Sequence, residues 1–204
     1  MGLFKISKRM EKSMNTFGFI GMGNMGYAML KGALNSFSKE DIIFTCPSSD
    51  RREKISEETG VRFAESNAEC ANNAKYIILA VKPQVYDVVL KNIHDIVTEE
   101  SIVISLAPGI TITDIKRKLG DNIRVVRAMP NTPALVGEGM TGISYNTAEF
   151  SFEERDIIEK FFFKHGKFIF FILIPVLMMM FAAYVNFFKP DYLYDYTYYF
   201  NNHQ

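Results

Sequence analysis

Short apolar runs alternate with stretches in which apolar residues recur every three or four positions, a pattern that covers most of this chain. The runs contain three to six residues with few polar interruptions, as parallel strands do when helices cover both faces of their sheet. The predicted strands are Phe17–Ile20, Ile42–Cys46, Val61–Phe63, Tyr76–Val81, Ile102–Leu106 and Ile123–Val126. The predicted helices lie at about 25–33, 50–59, 66–71, 84–96, 112–120 and 151–163. Repeated strand–helix units of this length predict an α/β domain with a doubly wound, mainly parallel sheet.

Three of these helices have residues at capping-box spacing near their starts. The pairs are Asp50 with Glu53, Ser66 with Glu69, and Ser151 with Glu154. Pro83 stands where the 84–96 helix would begin, which is a favoured position for proline.

A glycine-rich turn follows the first strand directly, with the sequence Gly21-Met22-Gly23-Asn24-Met25-Gly26. Gly21 suits the tight turn, Gly23 allows a pyrophosphate to approach the backbone, and Gly26 allows the helix to pack closely on the strand. The free N–H groups and the dipole at the start of the helix favour phosphate. Because the turn lies between a strand and a helix, it predicts a Rossmann-type dinucleotide site and not merely a structural turn.

The end of the second predicted strand bears on the choice of cofactor. An NAD site usually has an acid there, which binds the ribose 2′-hydroxyl. Here the sequence is Thr45-Cys46-Pro47-Ser48-Ser49-Asp50-Arg51-Arg52, with hydroxyls and guanidiniums suited to a 2′-phosphate. We therefore expect NADP(H), with NAD as the alternative. Two other readings stay open: Arg51 and Arg52 as solvated helix surface, and Asp50 as a helix cap or a ribose ligand.

A long segment from Arg127 to Thr141 follows the last apolar run. Pro130 and Pro133 each remove a backbone donor, and Gly137 and Gly139 allow close backbone approach. This composition predicts an irregular loop at the end of a strand, where α/β enzymes place ligand contacts.

In this order, four motifs resemble those of the pyrroline-5-carboxylate reductases, which make proline. They are Phe19–Gly26, Ala80-Val81-Lys82-Pro83, Ser105–Gly109 and the Met129–Thr141 loop. The first motif also occurs in hydroxyacid dehydrogenases, whereas the proline-rich loop is far more specific and weighs against that rival. A dehydrogenase of that type would also need a lysine-bearing helical domain after the sheet, which we do not find. The resemblance covers residues 14–163.

The resemblance implies a set of cofactor-binding residues. These are Ile20, Gly21, Met22, Gly23, Asn24 and Met25 at the pyrophosphate, Ser48 near the adenosine ribose phosphate, Asn67, and Ala80, Val81, Lys82, Pro83 and Ala107 towards the ribose and nicotinamide. Simpler readings remain for three of them: Lys82 as a solvated lysine, Pro83 as a helix start, and Asn67 as a cap-region residue.

The resemblance also implies a reaction, in which a hydride passes from NAD(P)H to the imine carbon of 1-pyrroline-5-carboxylate and gives L-proline. The cofactor carries this chemistry, so no nucleophile is needed. The sequence identifies no catalytic residue, and His94, His165 and His203 fall in no motif. No His, Cys, Asp or Glu cluster has the spacing of metal ligands, so we expect no metal.

Charge and cysteine content narrow the class of protein. Lys plus Arg equals Asp plus Glu at 23 each, so no overall field favours nucleic acid. Cys46 and Cys70 lack metal or CxxC spacing and fit reduced thiols, which predicts a cytoplasmic protein.

The composition changes near residue 164, so we divide the chain into an extension (1–13), the dinucleotide-binding domain (14–163) and an apolar tail (164–204). The family has a helical domain after the sheet, which grips the substrate and forms the homo-oligomer. The tail does not resemble it, which predicts a truncated and poorly active enzyme that binds NADPH weakly.

The tail has three alternative explanations. A frameshift in an AT-rich gene would produce its Phe, Ile, Tyr, Asn and Met residues. Alternatively, residues 168–188 contain no charge and would span about 30 Å as a helix, which predicts membrane contact and a non-catalytic, membrane-tethered dinucleotide-binding module. A divergent helix of a soluble protein is the third explanation.

Overall fold

The computed structural model describes residues 16–131 and 141–163, which form a single sheet with helices on both faces. Its strands are β1 (Phe17–Ile20), β2 (Ile42–Thr45), β3 (Arg62–Phe63), β4 (Tyr76–Leu79), β5 (Ile102–Ser105), β6 (Arg124–Pro130) and β7 (Thr141–Ser144). Its helices are α1 (Asn24–Ala33), α2 (Ser49–Thr59), α3 (Asn67–Asn72), α4 (Tyr86–Ile93), α5 (Ile112–Leu119) and α6 (Phe152–Phe163). The predicted α/β class is confirmed, and each predicted strand and helix has a counterpart, although some of the bounds differ.

The strand order β3-β2-β1-β4-β5-β6-β7 is that of a doubly wound sheet. Strands β1 to β6 run parallel, and only β7 is antiparallel to its neighbour. The chain moves outward from β1 through β2 to β3, then returns to β4 on the other side of β1. The order of the strands therefore reverses between β1 and β4, and ligands bind at this point in open α/β sheets.

Side chains from alternate strand positions fill two cores, one on each face of the sheet. Phe17 and Phe19 of β1 point to the face covered by α1, α2 and α6, and Ile20 points to the face covered by α3, α4 and α5. A Cβ on Gly18 would lie 2.6 Å from the Ala74 Cβ, so the backbone of β1 can approach the α3 side only because residue 18 is glycine.

The helix starts test the three predicted capping boxes. Ser151 and Glu154 form the complete box: the Ser151 N–H donates to Glu154 Oε2 at 3.1 Å, and the Glu154 N–H donates to Ser151 Oγ at 3.2 Å. Ser66 caps α3 by accepting from the Glu69 N–H at 3.0 Å, but the Glu69 carboxylate accepts from the Glu65 N–H instead of closing the box.

The predicted box of Asp50 and Glu53 is wrong, because α2 begins earlier. Ser48 is the N-cap, and its Oγ accepts from the Arg51 N–H at 3.3 Å. Asp50 then lies inside the first turn of α2. Its negative charge interacts favourably with the helix dipole there, but its side chain does not cap the helix.

The end of β6 corrects a second prediction. The sequence predicted an irregular loop from Arg127 to Thr141, but β6 continues to Pro130, and Thr141 begins β7. Pro130 is the last residue of β6 and pairs with Thr141 of β7. The pairing of β6 with β5 ends at Arg127, so Pro130 pairs on one side only. A proline without an N–H is tolerated at a strand end that pairs on one side only.

Helix α6 is fixed to the sheet by a buried carboxylate. Glu154 is 7% exposed, and its two oxygens accept from Lys75 Nζ at 2.9 Å and from the Arg124 guanidinium at 2.7 Å. Burial opposes ionisation, but these cations and the Ser151 N–H together keep the pKa of Glu154 below its ordinary value. Further along α6, the Phe161 ring stacks on Phe17 at 5.1 Å.

Several predictions fall outside the described residues. Residues 1–15, 132–140 and 164–204 include the extension, the middle of the proline-rich loop and the apolar tail with its charge-free stretch 168–188. The division at residues 13/14 and 163/164 therefore stays a prediction. Within residues 16–131 and 141–163, no helix has the length and apolar character needed to cross a membrane.

Candidate functional site

The parallel strands end together at one edge of the sheet, and most of the predicted cofactor residues follow these ends. Ile20 lies between Thr45 of β2 and Leu79 of β4, and Leu79 pairs in turn with Ser105 of β5. The segments that continue from these positions carry the predicted residues of the glycine turn, Ser48, Ala80 to Pro83, and Ala107. Asn67 reaches the same edge by following the outer strand β3.

The glycine turn is shaped by two close backbone approaches. Gly21 has φ = 102°, which favours glycine, and its N–H donates to the Thr45 carbonyl at 2.9 Å. A Cβ on Gly21 would lie 2.7 Å from the Ala80 carbonyl oxygen. A Cβ on Gly26 would overlap the Gly21 carbonyl oxygen, so neither glycine can be replaced without moving backbone.

Gly23 differs from these two because its missing side chain leaves open space. No atom lies within 4 Å of the position that a Cβ would take on Gly23. Gly23 is also the N-cap of α1, where no side chain caps the helix and no acid occupies the first turn. The first helical N–H groups therefore point towards an open and electropositive position, which fits a pyrophosphate.

The residues after β2 have two distinct tasks. Arg52 is largely buried and donates to the Cys46 carbonyl at 2.7 Å and to the Glu65 carboxylate at 2.6 Å, so it holds the loop after β2. Arg51 is exposed, and its Nε donates to the Met22 carbonyl at 2.6 Å. That bond places the Arg51 guanidinium beside the glycine turn. Neither arginine is the purely solvated side chain of the alternative interpretation.

Ser48 and Asn67 both lie at helix starts. Ser48 uses its hydroxyl to cap α2, and Asn67 is the first residue of α3. Both positions lie at the edge of the sheet where the parallel strands end. Their roles in cofactor binding stay predictions.

The segment after β4 is joined to the glycine turn. The Ala80 N–H donates to the Ile20 carbonyl at 2.9 Å, which continues the β1–β4 pairing by one residue. Lys82 is exposed and begins a short 3₁₀ turn, Pro83–Val85, before α4. Pro83 therefore does start a helical segment, as its simpler interpretation proposed, although α4 itself begins at Tyr86 and ends at Ile93, short of the predicted 96.

Sequence reasoning missed a buried hydroxyl pair behind this edge. The Tyr86 hydroxyl lies 2.8 Å from Ser105 Oγ and donates to the Leu79 carbonyl at 3.1 Å. Burial raises the pKa of Tyr86, and hydrogen bonds from Ser105 and from backbone N–H groups oppose that shift only in part. Tyr86 stands at an apolar position of the α4 pattern, so no local pattern indicates that its hydroxyl joins β4 to β5.

The described residues contain no cluster of side chains that could bind a metal ion. Across residues 16–131 and 141–163, no three His, Cys, Asp or Glu side chains come together as a metal site. The described geometry instead offers open backbone, a helix start and a guanidinium, which are the groups that bind phosphates.

Comparison with known proteins agrees with this geometry. Residues 16–109 match the family described as NADP oxidoreductase, coenzyme F420-dependent. The pyrroline-5-carboxylate reductase of Escherichia coli (strain K12) is 38% identical over 155 residues, which cover 74% of this chain and 56% of that protein. Pyrroline-5-carboxylate reductase 3 of Danio rerio is 39% identical over 124 residues, 60% of this chain and 43% of that protein.

Two solved structures resemble the fold and come from enzymes of the same name. A pyrroline-5-carboxylate reductase from Coxiella burnetii superposes with a TM-score of 0.71 at 29% identity, covering 87% of this chain and 71% of that one. The Plasmodium falciparum pyrroline carboxylate reductase, solved with NADP bound, gives 0.65 at 26% identity, with 83% and 67% covered.

The chain spans about half the length of the curated relatives that it matches. Residues 16–109, which match the family model, contain three of the four motifs of the sequence resemblance: Phe19–Gly26, Ala80–Pro83 and Ser105–Gly109. Over its dinucleotide-binding domain, the chain is similar to the pyrroline-5-carboxylate reductases.

Proposed function

We propose that this chain is an NADP(H)-dependent oxidoreductase that reduces 1-pyrroline-5-carboxylate to L-proline, with the described domain holding the cofactor. The observation that carries the proposal is the open position at Gly23, which faces the uncapped start of α1 at the point where the strand order reverses. Its support comes from the names of the relatives and from the NADP-bound Plasmodium falciparum structure.

When bound, NADPH supplies the hydride that reduces the imine carbon, and the imine nitrogen takes up a proton. The protein's task is to bind, orient and exclude water. The start of α1 binds the pyrophosphate through its N–H groups and helix dipole. Ala80, Val81, Lys82 and Ala107 follow β4 and β5, on the side of the reversal point away from Ser48, and they lie towards the ribose and nicotinamide. No described residue is assigned as the proton donor.

We propose NADPH rather than NADH because of the residues after β2. No acid follows directly at the strand end, where a ribose 2′-hydroxyl would need one. Arg51 is exposed, and its N–H donates to Ser48 Oγ, whereas Arg52 is already engaged by Cys46 and Glu65. Arg51 is therefore the arginine that pairs with a 2′-phosphate.

Two measurements on the purified 204-residue chain test the proposal. A fluorescence titration gives the Kd values for NADPH and NADH, and we expect tighter binding of NADPH. Oxidation of NADPH, followed by absorbance with 1-pyrroline-5-carboxylate present, then tests turnover. Because the sequence predicts poor activity, we expect a low rate, with proline and NADP⁺ formed in equal amounts. A chain that binds neither dinucleotide would contradict the proposal.

We also propose a cytoplasmic location, because both cysteines of the described domain are buried free thiols. Cell fractionation tests this location. Recovery of the chain without detergent supports it, and recovery only from the membrane fraction would favour the tethered module instead.

A further inference from the structure

A chain of hydrogen bonds joins the C-terminal ends of β4 and β5, and we assign none of its hydroxyls a contact with the cofactor. Tyr86 on α4 is 1% exposed and Ser105 at the end of β5 is 0% exposed, so water does not compete for their hydroxyls. The two hydroxyl oxygens are 2.8 Å apart. A buried hydroxyl pair without solvent has a defined direction for each proton, set by its other partners.

The surrounding groups fix that direction. The Ala107 N–H donates to Ser105 Oγ at 3.4 Å, so the Ser105 hydroxyl is free to donate onward to Tyr86. The Tyr86 hydroxyl in turn donates to the Leu79 carbonyl at 3.1 Å. The protons therefore run in one sense, from Ala107 through Ser105 and Tyr86 to Leu79. Each group donates a hydrogen bond to the next one. The Leu79 carbonyl also accepts from the Leu106 N–H at 3.2 Å.

Both ends of this chain lie at the proposed cofactor edge. Leu79 immediately precedes the Ala80 to Pro83 segment, and Ala107 is itself one of the residues expected near the nicotinamide. Neither segment is part of a regular strand, so their separation depends on what holds the two strand ends. The glycine turn and Ser48 lie on the other side of β4, outside the chain of hydroxyls.

We infer that Tyr86 is a positioning residue, which acts through Ser105 to hold the segments after β4 and β5 at the spacing that the nicotinamide half of the cofactor needs. The inference rests on the proposed NADP(H) site. It assigns Tyr86 no contact with the cofactor, so its effect is confined to the half of the ligand that the two segments enclose.

The test compares a whole cofactor with its adenosine half. Binding of NADPH and of adenosine 2′,5′-bisphosphate is measured by calorimetry for the unsubstituted chain and for Tyr86→Phe, which keeps the buried ring and removes the hydroxyl. We expect the Kd for NADPH to rise by about threefold to tenfold, the range for one lost internal hydrogen bond. The Kd for the bisphosphate stays the same, because its contacts lie at β1 and β2.

Two further variants separate positioning from general destabilisation. Tyr145→Phe removes a tyrosine hydroxyl from the opposite core, where Tyr145 packs edge-on against Phe150, and is expected to change neither Kd. Ser105→Ala breaks the same chain as Tyr86→Phe, so the double variant is expected to lose no more NADPH affinity than the larger single effect.

Three outcomes are decisive. Equal weakening of both ligands by Tyr86→Phe would show a merely structural role and overturn the inference. Unchanged binding of both ligands would overturn it as well. If the unsubstituted chain bound neither ligand, the proposed function itself would fail, which distinguishes that failure from the other two.

Discussion

The Nε of Arg51 donates a hydrogen bond of 2.6 Å to the backbone carbonyl of Met22. This bond joins the first turn of α2 to the glycine turn after β1, although the two residues are 29 positions apart. It places the guanidinium beside the glycine turn, while the Arg51 N–H donates to Ser48 Oγ at 3.3 Å. One side chain thus connects the proposed pyrophosphate position to the proposed 2′-phosphate position.

Replacing Arg51 is therefore expected to change the choice of cofactor. In Arg51→Ala the 2′-phosphate loses a charge-assisted partner, worth about 1.5 to 3 kcal/mol. The ratio of the Kd for NADH to the Kd for NADPH should fall about tenfold or more. Titration of both dinucleotides measures this ratio, which cancels any general effect of losing the bond to Met22.

Arg52→Ala is the matched control for that experiment. Arg52 binds the Cys46 carbonyl and the Glu65 carboxylate inside the protein, so its loss should lower the free energy of unfolding by about 1 to 2 kcal/mol. The cofactor ratio should not change. A larger change of ratio in Arg52→Ala than in Arg51→Ala would reverse our assignment.

Gly26→Ala is expected to destabilise the domain, against the ordinary helix preference. Alanine inside a helix usually stabilises by about 1 kcal/mol relative to glycine. Here the added Cβ would overlap the Gly21 carbonyl oxygen and lie 3.0 Å from the Ala80 Cβ. Because backbone must move, we expect a net loss of about 1 to 3 kcal/mol. Urea denaturation followed by circular dichroism measures it, and a gain in stability would contradict the packing described.

Glu154 is expected to give the domain an acid-sensitive contribution to stability. The pKa of Glu154 is lowered in the folded protein from an ordinary value of 4.5. A lowered pKa means that the contribution is fully present above about pH 4.5 and is lost as the pH falls through the folded value. Removing the charge in Glu154→Gln leaves Lys75 and Arg124 without a counterion, which should cost about 3 kcal/mol at pH 7.

The pH dependence is the sharper readout of that variant. Unfolding free energies measured between pH 3 and 7 should fall less steeply on the acid side in Glu154→Gln than in the unsubstituted chain. Parallel curves for the two proteins would mean that folding does not lower the pKa of Glu154.

Cys70 is expected to resist alkylation while the domain is folded. Its thiol is fully buried, and burial raises its pKa from 9.0 to about 12. At pH 8 the thiolate population is then lower by about 1000-fold than in an unfolded chain. Iodoacetamide labelling, followed by peptide mass spectrometry, should modify Cys70 only in denaturant. Rapid labelling of the native chain would contradict the described core.

The sequence predicted the order of strands and helices because burial on both faces forces nearly continuous apolar runs, as at Tyr76–Leu79. It predicted the glycine turn because three glycines at this spacing, between a strand and a helix, form a pattern that is visible in the sequence itself. The close approaches at Gly21 and Gly26 match the tight turn and the close helix packing expected of them, and the role of the open position at Gly23 stays a prediction.

Long-range pairings gave no such local signal. The extension of β6 to Pro130 depends on β7, and the start of α2 depends on Ser48 being available as a cap. The different tasks of Arg51 and Arg52 depend on which carbonyls lie near them after folding. Residues that are neighbours in sequence can therefore diverge in function when their partners come from distant segments.

The central claim is that the open space at Gly23 receives the cofactor pyrophosphate, and Gly23→Asp tests it most directly. Gly23 is an extended N-cap with no atom near its Cβ position, so aspartate should keep the fold and stabilise α1 by a few tenths of a kcal/mol. The added bulk and charge should weaken NADPH binding on the order of 100-fold. Gly23→Asn adds the same bulk without charge and should weaken it less.

The measurement is the Kd for NADPH beside the thermal midpoint for the unsubstituted chain and both variants. We predict a midpoint that is unchanged or slightly raised, with affinity falling in the order glycine, asparagine, aspartate. A stable Gly23→Asp chain that binds NADPH as tightly as the unsubstituted one would contradict the account.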